Sequence, residues 1–310
     1  EVNDYYDVSR KKNNLEWLKK ISLKSKGYFE FIKADICDNV AMETAFERYQ
    51  PTHIIHLAAR AGVRASINDP LTYVHSNVRG TTTLLELAKK YKCKHFVYAS
   101  SSSVYGGSEN EVFRESDVVN APVSPYAATK KACELLASTY THLYQLPTAG
   151  LRFFTVYGPR GRPDMAPMIF AKSIIQKVPI KVFNYGEMFR DYTYIDDVVD
   201  AIEGCCYKPA IKNESFNFLD PNPSSSFAPH MIFNVGSNKP ISLLKFIEKL
   251  EKEFEISSIK DFKPMQPGDI EKTWANIDNL NSWIGYNPKI NFDKGIHNFA
   301  TWYKSYFHFH

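Results

Sequence analysis

The sequence predicts an α/β fold, built on a parallel sheet that helices cover on both faces. Apolar segments rich in β-branched and aromatic residues recur in the first half, and we expect each to form a strand: 28–35, 53–59, 94–101 and 148–154. Segments with helical periodicity separate them. Strands that alternate with helices of this length are typical of βαβ units, whose crossover helices lie on both faces of a parallel sheet.

Helices are predicted where apolar residues recur every three or four positions. The segments with this pattern are 39–49, 79–92, 126–144, 242–254 and 292–307. The second half is otherwise less regular. Residues 158–167, rich in Pro, Gly and Arg, predict a shaped loop, and residues 222–229 predict a surface connector.

The composition is that of a globular protein with a sizeable core, because 44% of the 310 residues are hydrophobic and 23% are charged. Acidic and basic residues are interspersed, and the formal net charge is only +4. We therefore expect no nucleic-acid partner, although this balance leaves room for a local basic pocket that binds a phosphorylated small molecule.

The cysteines are scattered, odd in number and without the spacing of a metal site: Cys37, Cys93, Cys133, Cys205 and Cys206. Free thiols in a reducing compartment and no bound metal are therefore expected. No apolar run reaches the length of a transmembrane helix, and no signal-peptide pattern opens the chain. We expect a cytoplasmic protein with no membrane contact.

Ligands of open parallel sheets bind beyond the carboxyl ends of the strands, so the residues after each strand are candidates for a site. Asp35 and Ile36 follow the first predicted strand. The carboxylate there can accept a hydrogen bond from an adenine amino group while the isoleucine packs on the ring, but Asp35 can equally be the N-cap of the next helix. After the second strand, the small residues of HLAARAGVR (56–64) let the phosphates and ribose of a cofactor approach the backbone.

The third predicted strand runs into a row of hydroxyls, SSSSVYGG at 100–107. Serine clusters usually mark loops, but these emerge at the ligand edge of the sheet, where Ser101 can donate to a substrate oxygen. Tyr126 and Lys130 then lie one helical turn apart, just after the Ser-Pro pair at 124–125. An ammonium beside a phenol favours the phenolate, so the pair can act as a general base. The alternative for this pattern alone is an ordinary amphipathic helix start.

Longer motifs occur in order along nearly the whole chain: HLAARAGVR, NVRGTTTLLE (77–86), YASSSSVYG, SPYAATKKACE, LRFFTVYGPRGRPDMA (151–166), FRDYTYIDDVVDAI (189–202) and MQPGDIEKTWANID (265–278). In these motifs the sequence resembles the extended short-chain dehydrogenase/reductase superfamily and, within it, the nucleotide-sugar epimerases. NDYYD (3–7), GRPDMA (161–166) and MQPGD (265–269) resemble the UDP-glucuronate 4-epimerases in particular.

The resemblance implies a Rossmann-like doubly wound parallel sheet with a smaller C-terminal α/β substrate domain, NAD as cofactor, a UDP-sugar as substrate and a homodimer. It implies that Ser101, Tyr126 and Lys130 are catalytic. Besides Tyr126 and Lys130, the cofactor-contacting positions that it implies are Asp35, Ile36, Leu57, Ala58, Ala59, Ala61, Asn77, Ser100 and Phe153. Besides Ser101 and Tyr126, the implied substrate-contacting positions are Ser102, Ser103, Thr155, Lys181, Val182, Phe183, Arg190, Gln266 and Asp269. Which of the serines at 101–103 makes the working hydrogen bond stays open.

The resembled family begins with a strand, a glycine-rich turn and a helix whose N-terminus holds the dinucleotide pyrophosphate. No G-x-x-G-x-x-G occurs in this sequence, and NDYYD normally follows the second strand, so we expect an N-terminal unit to be missing. The resemblance divides the chain into a dinucleotide-binding domain at 1–154, without that unit but with returns of the chain near 190–205 and 230–240, and a mainly nucleotide-sugar-binding domain at 155–310.

The implied reaction inverts C4 of a UDP-linked hexuronic acid, interconverting UDP-glucuronate and UDP-galacturonate through a 4-keto intermediate with no net redox. A 4-keto uronic acid loses CO₂ readily, so its carboxylate has to be held. The planar guanidinium of Arg162 is our candidate, with Arg64 and Arg160 as weaker ones. The alternative is that these arginines contact the diphosphate or brace the loop; Arg190 is the stronger candidate for phosphate.

Three other functions stay open at this point. The same chemistry can act on UDP-glucose or UDP-N-acetylglucosamine, and a related enzyme decarboxylates UDP-glucuronate. A non-catalytic dinucleotide-binding regulator is the alternative from another class, and intact Ser101, Tyr126 and Lys130 argue against it. The homodimer has only weak support in the residues, because apolar positions such as Leu84 and Leu135 fit a monomer core equally well.

Overall fold

The structure is a computed structural model that describes residues 5–266 and 268–309. The first elements along the chain are α1 (Val8–Ser22), α2 (Asn39–Tyr49), β1 (His53–His56), α3 (Val63–Asn68), α4 (Pro70–Tyr73), α5 (Gly80–Lys90) and β2 (His95–Ser101). The next are α6 (Pro125–Tyr144), β3 (Thr148–Phe153), β4 (Thr155–Tyr157), α7 (Ala166–Gln176), β5 (Ile180–Val182), β6 (Phe189–Tyr194) and α8 (Ile195–Tyr207). The last are β7 (His230–Val235), β8 (Pro240–Ser242), α9 (Leu243–Phe254), β9 (Lys260–Phe262), α10 (Asp278–Ile284) and α11 (Phe292–Tyr306). A π-helical segment, Val74–Arg79, joins α4 to α5, and a 3₁₀ turn, Ser102–Tyr105, follows β2.

The main sheet consists of four parallel strands in the order β1-β2-β3-β7. The register pairs Ser101 at the end of β2 with Phe153 at the end of β3, and Phe153 with Val235 at the end of β7. The carboxyl ends of these strands therefore meet at one edge of the sheet, where ligands of such folds bind. The parallel α/β sheet predicted from the sequence is confirmed.

Helices cover both faces of this sheet because successive side chains of a strand point in opposite directions. Phe96 and Tyr98 of β2 pack with residues of α2, α5 and α6. Val97, between them, packs with residues of α8 and α10. Full burial of an apolar side chain such as Phe96 or Val97 stabilises the fold by about 1.5–3 kcal/mol. The doubly wound arrangement follows from this alternation.

Residues 28–35 do not form the strand that the sequence predicts. Alternating apolar residues make a strand only where a neighbouring strand accepts and donates hydrogen bonds, and no described strand lies beside this segment. Phe29 and Phe31 are accordingly exposed. The other predicted strands and helices are confirmed, with ends that differ by at most three residues.

A smaller lobe contains the remaining sheets, β4-β6-β8 and β5-β9. Its core lies between α7, α9 and α11, where Ile174, Phe246 and Phe299 have no exposed surface. A single residue, Phe154, separates the end of β3 from the start of β4. Phe154 is buried, and its N–H donates to the Val235 oxygen at 3.1 Å.

The helices of the described residues were also compared with the requirements of a bilayer span. None of them combines the length and the apolar character needed to cross a membrane.

Candidate active site

The serines after β2 form a tight turn in which the hydroxyls have different surroundings. Ser101 is buried, and its Oγ accepts a hydrogen bond from the Ser103 N–H at 3.2 Å and donates to the Ser103 Oγ at 3.1 Å. Ser102 and Ser103 are half-buried and line the cleft described below. The structure therefore places Ser103 on the cleft and Ser101 directly behind it.

Helix α6 begins where the Ser-Pro pair predicts. The Ser124 hydroxyl accepts a hydrogen bond from the Ala127 N–H at 3.1 Å, and Pro125 occupies the first helical position. Both are favoured at helix starts, since a serine oxygen satisfies a free N–H and proline has no N–H to leave unpaired. This start fixes which residues of α6 face the sheet edge.

Tyr126 and Lys130 lie near the start of that helix, and Lys130 reaches strand β2. Lys130 is 5% exposed, and its ammonium donates to the Ala99 backbone oxygen at 2.7 Å. Tyr126 is half-buried next to Tyr73, with ring centroids 6.2 Å apart. The ammonium is thus brought close to the strand end that carries the serine turn, and Tyr126 lies one helical turn away on the same helix.

A cleft of about 860 Å³ lies between the serine turn and the smaller lobe. The predicted substrate residues that line it are Ser102, Ser103, Thr155, Lys181, Phe183, Arg190, Gln266 and Asp269. Ser101, Tyr126 and Arg162 lie outside this lining. The structure does not support a side-chain contact for Val182, because this residue is fully buried in the core of the smaller lobe.

Several lining residues were missed by the sequence analysis, among them Tyr5, Met188 and Thr273. Tyr5 belongs to NDYYD and Thr273 to the segment that begins with MQPGD, so the motifs contained a signal for both. Met188 lies in no quoted motif, and only the three-dimensional fold brings it to the cleft.

One wall of the cleft carries an ion pair between residues far apart in sequence. The Arg64 Nη2 donates to the Asp269 Oδ2 at 2.7 Å. The Arg64 guanidinium also lies 4.9 Å from the centroid of the Phe183 ring, a favourable cation–aromatic distance. All three residues line the cleft, so this pair closes one wall against the smaller lobe.

Further positive charge comes from Lys181 and Arg190 on the same cleft. The Arg190 Nη1 donates to the backbone oxygens of Phe189 and Glu271, at 2.8 and 3.0 Å. Burial lowers the pKa of Arg190, but arginine stays charged at neutral pH because its pKa starts so high. Together with Arg64, these cations complement a diphosphate.

Arg162 is engaged by a neighbouring carboxylate. Its Nε and Nη2 donate to the two oxygens of Asp164 at 3.0 and 2.5 Å, and its Nη2 also reaches the Ala61 oxygen at 3.3 Å. The Tyr5 hydroxyl donates to the same Asp164 at 3.3 Å. Burial opposes the charge of Arg162, but the hydrogen bonds and charge of Asp164 outweigh burial and raise its pKa. The Arg162 guanidinium therefore already binds one carboxylate, that of Asp164, through two hydrogen bonds.

The loop after β1 is fastened by Asn77, which is 1% exposed. The Asn77 Oδ1 accepts a hydrogen bond from the Arg60 N–H at 2.7 Å. Its Nδ2 donates to the Arg60 oxygen and to the Thr129 Oγ1, both at 3.0 Å. These contacts support a role in positioning the loop against α6, rather than the direct cofactor contact of this side chain that the resemblance implies.

Behind the serine turn lies a buried ion pair that the sequence analysis missed. Glu134 is 1% exposed, and its two oxygens accept hydrogen bonds from the Nε and Nη2 of Arg152 at 2.8 and 3.0 Å. The Ser100 hydroxyl donates to Glu134 at 2.7 Å, and the Arg152 Nη1 donates to the Tyr105 hydroxyl at 3.0 Å. Ser100 lies just before the serine turn and Tyr105 at its end, so the ion pair binds both ends of the turn. The Ser100 side chain faces this pair instead of the cofactor position that the resemblance implies.

Residues 2–299 match the family described as GDP-mannose 4,6 dehydratase. The chain belongs to this family. It is 43% identical over 306 residues to Protein CapI of Staphylococcus aureus, a match that covers 99% of this chain and 90% of that protein. It is 40% identical over 304 residues to the UDP-glucuronate 4-epimerase of Thermodesulfobacterium geofontis, covering 98% and 86%. Among solved structures, UDP-glucuronic acid 4-epimerase from Bacillus cereus in complex with UDP-glucuronic acid and NAD has a TM-score of 0.79 and 30% identity, covering 95% of this chain and 87% of that one.

The GDP-mannose 4,6 dehydratase family belongs to the extended short-chain dehydrogenases/reductases, so the resemblance drawn from the motifs is confirmed. In this member of the family, the positions assigned to NAD follow β1 at 57–61. Leu57 and Ala58 are exposed, and Ala59 and Ala61 are half-buried. The side chains at 58, 59 and 61 are small, and such a surface fits the close approach of a dinucleotide.

The adenine end of the assigned NAD site lies next to α2. The Asp35 Oδ1 accepts a hydrogen bond from the Cys37 N–H at 2.9 Å, and Ile36 is half-buried. Asp38, not Asp35, caps α2, so the capping interpretation of Asp35 is wrong. The Asp35 carboxylate is exposed and available to a ligand. Phe153, half-buried at the end of β3, lies at the carboxyl edge as expected.

Proposed function

We propose that this protein is an NAD-dependent isomerase of nucleotide sugars that interconverts UDP-glucuronate and UDP-galacturonate. The observation that carries the proposal is the contact of Lys130 with Ala99 near the end of β2, one helical turn from Tyr126 and close to the serine turn that lines a cationic cleft. The relative named UDP-glucuronate 4-epimerase and the solved complex with UDP-glucuronic acid and NAD support the choice of substrate.

Bound NAD supplies a hydride acceptor for C4 of the sugar, and later the hydride, without net redox. As the phenolate, the Tyr126 oxygen takes the proton of the sugar 4-OH and returns it after the 4-keto sugar has rotated in the pocket. Lys130 lies one turn further along the same helix. One of its three N–H groups is bound to Ala99, so two can bind the nicotinamide ribose.

Ser103 is the serine that we assign to the sugar hydroxyl. Its Oγ accepts a hydrogen bond from the Ser101 Oγ, so its own proton is free to be donated into the cleft that it lines. Ser101 orients this group from behind. A Ser103→Ala variant should therefore lose more kcat than Ser102→Ala, because only the first removes a donor from the reacting oxygen.

The sugar carboxylate takes the place of Asp164 on Arg162 in this proposal. Asp164 shows that the guanidinium can hold a carboxylate with two parallel hydrogen bonds. A hexuronate bound in that way keeps its carboxylate in one orientation, which opposes loss of CO₂ from the 4-keto sugar. Tyr5 can continue to donate to the displaced Asp164.

A homodimer is also part of the proposal. Leu84 and Leu87 of α5 are buried within the monomer, whereas Leu135 and Leu143 of α6 are exposed. An exposed apolar face on a long helix favours association with another helix face. Sedimentation at micromolar concentration should show a dimer, and Leu135→Lys should yield monomers; a monomeric parent protein would contradict this part.

The test supplies the protein and NAD with UDP-glucuronate and no reductant, and follows the nucleotide sugars by ion-exchange chromatography. UDP-galacturonate should accumulate to equilibrium, and Tyr126→Phe should reduce the rate by roughly 10²–10⁴-fold. Formation of UDP-xylose with CO₂ would instead show a decarboxylase. Equal turnover of UDP-glucose would show a hexose epimerase, and NAD binding without any turnover would show a regulator.

A further inference from the structure

Three potential metal ligands meet outside the substrate cleft, beside α2. They are the carboxylate of Asp35, the thiol of Cys37 and the imidazole of His75, and one ligand atom from each lies within 4.8 Å of the others. The His75 Nε2 is 3.8 Å from the Asp35 Oδ2. His75 belongs to the π-helical segment Val74–Arg79, far from Cys37 in sequence. The sequence analysis expected no metal because cysteine spacing alone does not show this cluster.

The backbone holds the cluster in place before any ligand binds. The Cys37 N–H donates to the Asp35 Oδ1 at 2.9 Å, which fixes the carboxylate. The Cys37 Sγ lies 3.2 Å from the His75 backbone oxygen, so the two segments are in direct contact. Positions of π-helical geometry are frequent at functional sites.

Exposure of the three side chains fits a site that is open on one side. Cys37 is 5% exposed and forms the floor. The side chains of His75 and Asp35 are 45% and 62% exposed and form the rim. A cation can therefore meet His75 and Asp35 from solvent, with the thiol beneath them.

The ligand set selects the class of cation. One sulfur, one imidazole nitrogen and one carboxylate oxygen suit Zn²⁺, which binds such atoms at about 2.0–2.3 Å in a tetrahedron. Ligand atoms around such an ion are roughly 3–4 Å apart, so the cluster closes on a cation by small rotations of the exposed His75 and Asp35. Mg²⁺ and Ca²⁺ prefer oxygen ligands and are not expected.

We propose that Asp35, Cys37 and His75 bind one Zn²⁺ ion, with water at the fourth position. The thiol proton passes to solvent when the Zn–S bond forms, and no electron transfer is involved. The consequence for activity rests on the proposed function. The Asp35 Oδ1 already accepts a hydrogen bond from the Cys37 N–H, so a cation on Oδ2 occupies the oxygen that remains for adenine, and Zn²⁺ and NAD compete.

The test titrates the metal-free protein with Co²⁺ and Zn²⁺ in the absence of NAD and substrate. Co²⁺ should give a thiolate charge-transfer absorption, and Zn²⁺ should abolish it at one equivalent. Cys37→Ser should eliminate the absorption, and His75→Ala should weaken Zn²⁺ binding at least about tenfold. Cys206→Ser is the matched control, since this half-buried cysteine lies outside the cluster and its loss should change nothing. Far-UV circular dichroism checks that each variant is folded.

Absence of the absorption in the parent protein, or an equal absorption in Cys37→Ser, would overturn the metal site. NAD binding is then measured with and without Zn²⁺. A rise of the apparent NAD dissociation constant in proportion to Zn²⁺, lost in Cys37→Ser, supports competition. Zn²⁺ binding with unchanged NAD affinity would overturn the competition. Because the metal titration needs no turnover, its failure is distinguishable from failure of the epimerase proposal.

Discussion

Glu134→Gln removes one negative charge from the buried ion pair behind the serine turn and keeps the size of the side chain. The glutamine has one oxygen, so it cannot accept the two hydrogen bonds from Arg152 at 2.8 and 3.0 Å together with that from Ser100 at 2.7 Å. Arg152 has no exposed surface, so water cannot replace the lost partner. The variant therefore leaves a buried guanidinium without its counter-charge.

Two arguments give a similar magnitude for the stability that the Glu134→Gln variant loses. Removing one partner of a buried pair costs about 3–5 kcal/mol. Burial raises the pKa of Glu134, but the charge and hydrogen bonds of Arg152 outweigh burial and lower it to about 2, from an ordinary value of 4.5. That gap of about 2.5 pH units corresponds to about 3 kcal/mol, complete above pH 4.5 and lost as the pH falls towards 2.

The assay is urea unfolding followed by far-UV circular dichroism at pH 7. The free energy of unfolding should fall by about 3 kcal/mol, a large part of the 5–15 kcal/mol typical of a domain. Glu253→Gln is the control, because Glu253 forms an exposed pair with His297 and its loss should cost less than about 1 kcal/mol. A Glu134→Gln variant within 1 kcal/mol of the parent would refute the reasoning. The double variant Glu134→Leu/Arg152→Met should recover much of the loss, because it removes both charges.

The remaining predictions concern the site and the buried histidines. Arg162→Ala should reduce kcat/KM for UDP-glucuronate roughly 30–150-fold, about 2–3 kcal/mol, and leave UDP-glucose turnover unchanged; initial rates with both substrates decide. Asn77→Ala removes three buried hydrogen bonds and should cost about 2–3 kcal/mol in urea unfolding and weaken NAD binding measured by calorimetry. Burial lowers the pKa of His56 to about 3 and those of His95 and His230 to about 4, from 6.5. Their neutral forms stabilise the fold fully above pH 6.5, and this contribution is lost as the pH falls towards 4. An unfolded histidine is half protonated at pH 6.5 and almost fully protonated at pH 5, so the slope for each rises to about 1.4 kcal/mol per pH unit only below pH 6. The free energy of unfolding should therefore fall by about 5 kcal/mol between pH 6.5 and 5, and a flat profile would contradict this.

The elements that the sequence predicted well are those whose formation depends mainly on residues within the element itself. Helix α6 has its own cap at Ser124 and its own periodicity, so neither depends on the rest of the fold. Strands β2 and β3 are buried on both faces, as the strands of a covered parallel sheet are. Residues 28–35 have an equally apolar pattern, but a strand also needs a neighbour, and that information is not local.

The residues of the candidate site also divide into those that local sequence predicts and those that depend on contacts distant in sequence. The order Ser-Ser-Ser, then Tyr126 and Lys130, is a local pattern, and the fold brings Lys130 of this pattern close to the strand end that carries the serines. The partners of charged groups are not local: Arg64 and Asp269 are 205 residues apart, and Tyr5 and Asp164 are 159 apart. Sequence reasoning found the arginines and missed what neutralises them.

The connection through Phe154 limits how this protein can move. One buried residue between β3 and β4 leaves no flexible linker at this crossing, so a wide hinge rotation of the smaller lobe would pull that ring out of its packing. We expect a bulky nucleotide to be admitted by rearrangement of the cleft rim around Asp164 and Asp269. Small movements of that rim, and not a hinge rotation of the smaller lobe, would then determine the rate of product release.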